Sequence, residues 1–154
     1  MKLRKDEFNL ILKNGESYHV EFKAGFNKSF AREVTAFANA SGGRIFLGVT
    51  DTGKPTGITI TNALKSQMQD TAHNCQPPVD ISIEEIDNIL IVTVPEGKNK
   101  PYQCSDGFFI RMGSNAQKMD RDRIIEFIQN EGHVRFEEQP HGRIPILWPL
   151  FVND

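Results

Sequence analysis

The segment from residue 33 to residue 57 constrains the fold of this chain more than any other part of the sequence. Val34, Phe37 and Ala38 recur at helical spacing and predict one apolar helix face. A pair of glycines then ends the helix, because glycine allows a left-handed backbone at that point. Residues 45–49 are short, apolar and partly β-branched, as a covered strand should be, and an Asp-Thr-Gly turn follows. This succession predicts a helix packed on a sheet, with phenylalanines of both buried where they meet.

The rest of the sequence alternates between helical and extended patterns. Apolar residues recur at helical spacing in four segments, whereas alternation with period two marks the extended ones. Ser29 stands where a side-chain cap for the second helix is expected. The predicted helices span residues 6–13, 29–40, 60–73 and 120–129, and the predicted strands span residues 18–23 and 108–112, beside a β-hairpin over residues 79–94. This order predicts an α/β (α+β) fold, with a mixed β-sheet flanked by helices in a single compact domain.

Charge is nearly balanced over the chain but unevenly distributed along it. The 154 residues include 18 Lys and Arg against 20 Asp and Glu, a formal net charge of -2, which argues against an undiscriminating polyanion binder. Residues 1–32 carry seven basic and four acidic side chains, whereas residues 33–97 carry three and eight. Residues 98–132 carry six and five. The two ends can therefore build a local basic face, although ordinary solvated charge would give the same counts.

Several classes of protein do not fit the sequence. Cys75 and Cys104 are isolated and lack the spacing of metal ligands, which indicates a reducing compartment and a cytoplasmic location. No apolar run reaches the roughly 20 residues of a membrane-spanning helix, so no membrane partner is expected. The glycines form neither a Walker A loop nor a dinucleotide fingerprint, which argues against nucleotide binding.

Five short motifs occur in an order that resembles the Schlafen AlbA-type domain. They are Glu21-Phe22-Lys23, Ala36-Phe37-Ala38-Asn39-Ala40-Ser41-Gly42-Gly43, Leu47-Gly48-Val49-Thr50-Asp51, Pro101-Tyr102 and Arg111-Met112-Gly113-Ser114. The resemblance covers roughly residues 5–130. It implies the DNA-binding domain of a bacterial transcriptional regulator, with DNA or RNA as the partner and no cofactor. The resemblance is also compatible with a homodimer and implies a C-terminal effector domain in a longer parent protein.

The resemblance divides the chain into a domain over residues 1–132 and an irregular tail over residues 133–154. Residues 140–154 contain three prolines and the apolar run 144–152, without periodicity or a helix cap. We interpret the tail as the truncated end of a longer protein or as residues foreign to the natural one. An exposed apolar run of this kind could also mediate contact between chains.

Basic residues at the two ends of the chain are candidates for phosphate contact. Binding to a nucleic-acid backbone depends on Lys and Arg, assisted by hydroxyls and by backbone N–H groups at glycine turns. Tyr102, Phe108 and Phe109 lie among these charges and could stack on bases, although one of the two phenylalanines is expected in the core. The predicted nucleic-acid-binding residues are Lys23, Lys28, Arg32, Lys100, Arg111, Ser114 and Lys118.

An alternative interpretation is a Schlafen-like endoribonuclease that depends on a divalent metal. Converging carboxylates can hold Mg²⁺ or Mn²⁺, and such an ion can activate water against a phosphodiester. Schlafen nucleases are similar in having two glutamates five residues apart and an aspartate after a Gly-Val strand, which implies Glu16, Glu21 and Asp51 as metal ligands and catalytic residues. A spacing of five puts Glu16 and Glu21 on opposite faces of an unbroken strand, so they converge only if the chain bends near Gly15 or Ser17.

Three further interpretations of these features remain open. Glu21 and Lys23 can be a surface ion pair, with Asp51 merely shaping a turn. Glu21 and Lys23 are also similar to the E-x-K half of restriction-type nucleases, but the acidic residue that precedes that pattern has no clear counterpart. Finally, the tail and the acidic middle segment could make the chain a protein-interaction module.

Overall fold

A computed structural model describes residues 2–138 of the chain, with side chains through residue 131. The chain divides into two units, Met1–Lys118 and Met119–Asp154. The described part of the second unit contains helix α4, Arg121–Glu138. The described part of the first unit contains helices α1 (Lys5–Asn14), α2 (Ser29–Asn39) and α3 (Asn62–His73), and strands β1 (Val20–Lys23), β2 (Gly43–Leu47), β3 (Ser82–Ile86), β4 (Ile89–Val94), β5 (Gln103–Cys104), β6 (Gly107–Met112) and β7 (Asn115–Lys118).

The strands form two sheets. The larger sheet has the strand order β1-β2-β4-β3, in which β1 runs parallel to β2 and the other neighbours are antiparallel. The smaller sheet is antiparallel, with the order β5-β6-β7. The predicted class, a mixed sheet flanked by helices in a compact α+β domain, is confirmed. The short strands β5 and β7 were not predicted, because two to four mostly polar residues carry no clear alternation.

Strand β2 separates two apolar clusters. Ile45 and Leu47 pack with Phe37 of α2 on one face of the sheet. Phe46 packs on the other face with Phe8 of α1, whose ring centre lies 6.0 Å away. Phe37 and Phe46 are both fully buried, as predicted, but the prediction that they share one interface is wrong. Successive side chains of a strand point to opposite faces, so Phe46 cannot join its neighbours against α2.

The ends of α1, α2 and α3 agree with the predicted boundaries to within two residues, but the cap predicted for α2 does not. Helix α2 begins after Lys28, and the hydroxyl of Ser29 contacts the side chain of Asn27 at 2.6 Å, so the cap predicted at Ser29 is wrong. After α2, the backbone of Gly42 has a φ of 79°. A Cβ on this glycine would lie 2.8 Å from the carbonyl oxygen of Val94. Glycine is therefore required where the chain returns from α2 to the sheet.

The predicted hairpin is confirmed as strands β3 and β4, with Ile86 paired to Ile89. Asp87 and Asn88 form its two-residue turn with positive φ angles of 48° and 65°, which suits the right-handed twist of the strands.

Helix α4 extends beyond the end predicted at residue 129 and reaches Glu138. Gly132 does not stop the helix, because a single glycine costs only about 1 kcal/mol inside one. Residues 139–154, with the apolar run, lie outside the described residues, so the predictions about the tail and the boundary at residue 132 stay predictions. Within the described residues, the helices are too short or too polar to span a membrane.

Candidate functional site

Three of the predicted phosphate-binding residues converge around Asp106, and we call Lys28, Arg32, Asp106 and Lys118 the Asp106 cluster. The Nε of Arg32 donates to Oδ2 of Asp106 at 2.8 Å. This hydrogen bond, followed by the positive charges of Arg32, Lys28 and Lys118, holds the pKa of the Asp106 carboxyl below its usual range. All three cations are exposed to solvent. The cluster therefore presents several cations and one carboxylate on the same surface.

Local structure explains how distant residues reach this surface. Lys28 precedes the first turn of α2, and Arg32 follows four residues later, so both lie on one side of the helix. Asp106 lies in the turn between β5 and β6, and α2 packs against β6. Lys118 ends β7 and folds over Gly107, where a Cβ would meet its Cε at 2.9 Å. The smaller sheet and α2 together therefore assemble the cluster.

Arg111 occupies a different place from the one that the sequence predicts. Its side chain is fully buried, and its guanidinium lies 4.6 Å from the centre of the Phe37 ring. Its five N–H groups are all used: two reach Glu21 and Glu33, at 2.7 and 3.0 Å, and the other three reach backbone carbonyls. This geometry leaves no donor for a phosphate, so the predicted phosphate contact of Arg111 gives way to a structural role.

Lys23 completes a buried charge cluster with Arg111, Glu21 and Glu33, which we call the Arg111 cluster. The Nζ of Lys23 lies 3.9 Å from Glu21 and 3.6 Å from Glu33. Burial and the nearby charge of Glu33 raise the pKa of Glu21 to about 7, although the hydrogen bond from Arg111 acts in the opposite direction. Burial likewise raises the pKa of Glu33, against the charges of Lys23 and Arg111. Lys23 is therefore held by carboxylates rather than offered to a nucleic acid.

The Arg111 cluster also covers the open edge of β1. Oε2 of Glu16 accepts a hydrogen bond from the backbone N–H of Phe22 at 2.9 Å, and Arg111 donates to the carbonyl of Val20 at 2.8 Å. An uncovered edge strand is a template for pairing with another chain, and these side chains block it. Glu16 reaches β1 because the chain turns back at Ser17, whose N–H donates to the carbonyl of Val20. The bend that Glu16 and Glu21 require is thus present.

The third predicted metal ligand does not join the other two. Asp51 is exposed in the turn after β2, while Glu16 and Glu21 lie at the edge of β1. Among residues 2–131, the structure brings together no group of three or more His, Cys, Asp and Glu side chains suited to a metal ion. The proposed three-carboxylate centre is therefore not assembled in this conformation.

The remaining predicted residues lie apart from the Asp106 cluster. The Nζ of Lys100 contacts Glu96 at 2.8 Å, and the Lys100 side chain is mostly buried. Ser114 is half-buried in the turn between β6 and β7. The Tyr102 ring is buried and its hydroxyl accepts a hydrogen bond from the backbone of Lys98 at 3.1 Å, which does not suit stacking on a base. Phe109 is buried, as expected for one of the two phenylalanines.

Sequence reasoning missed three polar residues that organise these sites. Glu33 has a recognisable signal, since it is a charged residue beside the apolar face of α2. Asn39, at the end of α2, donates to the carbonyls of Tyr102 and Phe109 at 2.9 and 2.8 Å, and so ties the helix to the smaller sheet. Asp106 gives no comparable signal, because an Asp-Gly turn is ordinary hairpin chemistry.

Comparison with known proteins agrees with the fold. A family model described as Schlafen, AlbA_2 matches residues 16–120. No curated protein matches the chain. Among solved structures, the crystal structure of the DIP2311 protein from Corynebacterium diphtheriae is similar, with a TM-score of 0.54 and 18% sequence identity. The match covers 84% of this chain and 25% of that one, so the chain spans about a quarter of the length of that protein. At this identity the likeness extends to the fold alone.

Proposed function

The chain belongs to the Schlafen AlbA_2 family, whose domains are of a nucleic-acid-binding type, and from this we propose that it holds DNA by the phosphate backbone. In this proposal the domain is the DNA-binding part of a bacterial transcriptional regulator, located in the cytoplasm. A C-terminal effector domain and a homodimeric assembly belong to the same proposal. RNA is the competing ligand in the tests below.

The observation that supports this proposal most strongly is the convergence of Lys28, Arg32 and Lys118. Arg32 and Lys118 are far apart in the sequence, yet Arg32 hydrogen-bonds Asp106 and the Lys118 side chain lies over the adjacent Gly107. Exposed cations gathered on one surface are what contacts to successive phosphates require. The formal net charge of -2 does not oppose this, because backbone binding depends on the local charge.

Salt dependence of binding tests the proposal directly. Fluorescence anisotropy would follow a labelled duplex of about 20 base pairs between about 50 and 200 mM salt. Each phosphate contact should add about −0.9 to the slope of log K against log salt. Arg32→Ala should weaken binding to unrelated DNA sequences by the same factor. It should also make the slope of log K against log salt less steep by about 0.9, the contribution of one phosphate contact.

Lys13→Ala is a matched control for this experiment. It removes the same charge, but Lys13 is an exposed residue in the last turn of α1, on the opposite face of the larger sheet from α2. We expect this variant to bind as the parent does. An affinity that does not depend on salt concentration, or an equal loss of affinity in both variants, would contradict the proposed role of the Asp106 cluster. Stronger binding to an RNA of matched length would show that the ligand is RNA, bound by the same surface.

The bend that brings Glu16 to β1 beside Glu21 favours the ribonuclease alternative, but the described residues do not assemble the three-carboxylate centre. Glu21 already faces two cations, Arg111 and Lys23, and Glu16 is engaged with the backbone of β1. Asp51 forms no metal-ligating group with them among the described residues. The alternative remains testable through cleavage in the presence of Mn²⁺, and its outcome is independent of the binding assay.

A further inference from the structure

Asp106 lies within the surface proposed to bind phosphate, although its charge opposes a polyanion. Its carboxylate accepts the Arg32 hydrogen bond at 2.8 Å. The charges of Lys28 and Lys118 act on the same carboxylate. A carboxylate oxygen and a phosphate oxygen accept the same kind of hydrogen bond from a guanidinium group. Asp106 therefore occupies the cations in the way that a phosphate of the ligand would.

We propose that Asp106 is an intramolecular competitor of DNA, which holds Arg32 in the free protein and is displaced by a backbone phosphate during binding. This inference rests on the proposed function of the Asp106 cluster. The proposed competition gives Asp106 a regulatory role, since removal of its carboxylate should strengthen DNA binding. It also favours ligands with several adjacent phosphates, because contacts to Lys28 and Lys118 keep a phosphate close to Arg32 while Asp106 is displaced.

The strength of the Arg32–Asp106 contact suits a reversible competitor. The side chains of Arg32 and Asp106 are 45% and 41% exposed. Ion pairs with this exposure are weak, and their disruption changes an equilibrium by a factor of only about two to five. The Arg32 guanidinium also lies 5.8 Å from the centre of the Phe109 ring, a contact that does not involve Asp106. Arg32 can thus remain on the surface after Asp106 releases it.

Neutral substitution of Asp106 measures this competition. In the anisotropy assay with the duplex of about 20 base pairs, Asp106→Asn should bind about three- to tenfold more tightly than the parent, from release of the ion pair and loss of repulsion. Asp106→Ser provides a second neutral variant in the same turn, and thermal melts of both check folding. Asp80→Asn is the control, because it changes the net charge equally at a side chain that is 93% exposed and contacts His73. It should alter affinity by less than about twofold.

A double-mutant cycle separates direct competition from a general effect of charge. If Asp106 acts by holding Arg32, most of the gain from Asp106→Asn should vanish in the Arg32→Ala background. A full gain in that background, an equal gain in Asp80→Asn, or unchanged affinity in both folded Asp106 variants would overturn the inference while leaving DNA binding by the parent intact. Failure of the parent and of Asp106→Asn to bind duplex or RNA would refute the proposed function and this inference together.

Discussion

Replacement of the buried Arg111 should strongly destabilise the domain. Arg111→Met keeps a long apolar stem but removes the charge that neutralises Glu21 and Glu33. These two glutamates are only 9% and 7% exposed. It also removes three hydrogen bonds to the carbonyls that lead into and form β1. Breaking a buried ion pair by removing one partner costs about 3–5 kcal/mol, since the other charge stays buried without compensation. We expect a loss of that size in the free energy of unfolding near neutral pH.

The loss should depend on pH. At about pH 5 the carboxyl of Glu21, whose pKa is raised to about 7, is largely protonated in the folded protein and needs no cation. At about pH 8 it is ionised in the parent, and in the variant it must either stay buried as an uncompensated anion or bind a proton at a cost. The destabilisation by Arg111→Met should therefore be larger at pH 8 than at pH 5.

Urea denaturation followed by circular dichroism would measure this effect at both pH values. Arg121→Met is the control, because the Arg121 side chain is 83% exposed and should change stability by less than about 0.5 kcal/mol. The double variant Arg111→Met, Glu21→Gln should recover part of the loss, since Glu33 then keeps Lys23 as its counter-ion and Glu21 no longer carries a charge. A loss below about 1 kcal/mol for Arg111→Met, or no recovery in the double variant, would refute the reasoning.

Three further predictions concern the sheet and the acidic residues. The stabilising effect of the raised Glu21 pKa is full below pH 4.5 and is lost as the pH rises through about 7. Glu21→Gln should therefore flatten the decline of unfolding free energy with pH in this range. An unchanged decline, measured by urea denaturation at several pH values, would argue against this assignment. Phe37→Ala and Phe46→Ala should each cost about 3–5 kcal/mol. Because they lie in separate clusters, their effects should add in the double variant, and strong coupling in calorimetry would contradict that separation. Asp51→Ala should leave melting unchanged, and the parent should not cleave RNA with Mn²⁺; cleavage lost in Asp51→Ala would restore the ribonuclease alternative.

Local patterns in the sequence were sufficient for most of the secondary structure. Helical spacing predicted α1 to α3 to within two residues at each end, and alternation on both sides of an Asp-Asn turn predicted the β3–β4 hairpin. These elements depend on neighbours in the chain, so a single sequence contains their signal. The order of five motifs likewise indicated the family before any contact was known, and the family is confirmed.

Only the tertiary structure shows which cluster each side chain packs in. Phe46 is adjacent to Ile45 in sequence, yet the alternation of β2 places them in different clusters. Arg111 looked like a surface cation because a strand followed by Met-Gly-Ser does not reveal which of its faces is covered. Its burial follows from β6 packing against α2, where Glu33 supplies a carboxylate.

The composition of the candidate site was also decided by tertiary contacts. The sequence identified Lys28, Arg32 and Lys118 as cations but could not group them, nor separate them from Lys23 and Arg111. Arg32 meets Asp106 across 74 positions of the chain, and Arg111 meets Glu21 across 90. Pairings over such separations arise when helices and sheets pack, because only packing brings distant charges within hydrogen-bonding distance. Local sequence thus determined the helices and strands, and their packing decided which charges face solvent and which neutralise one another inside.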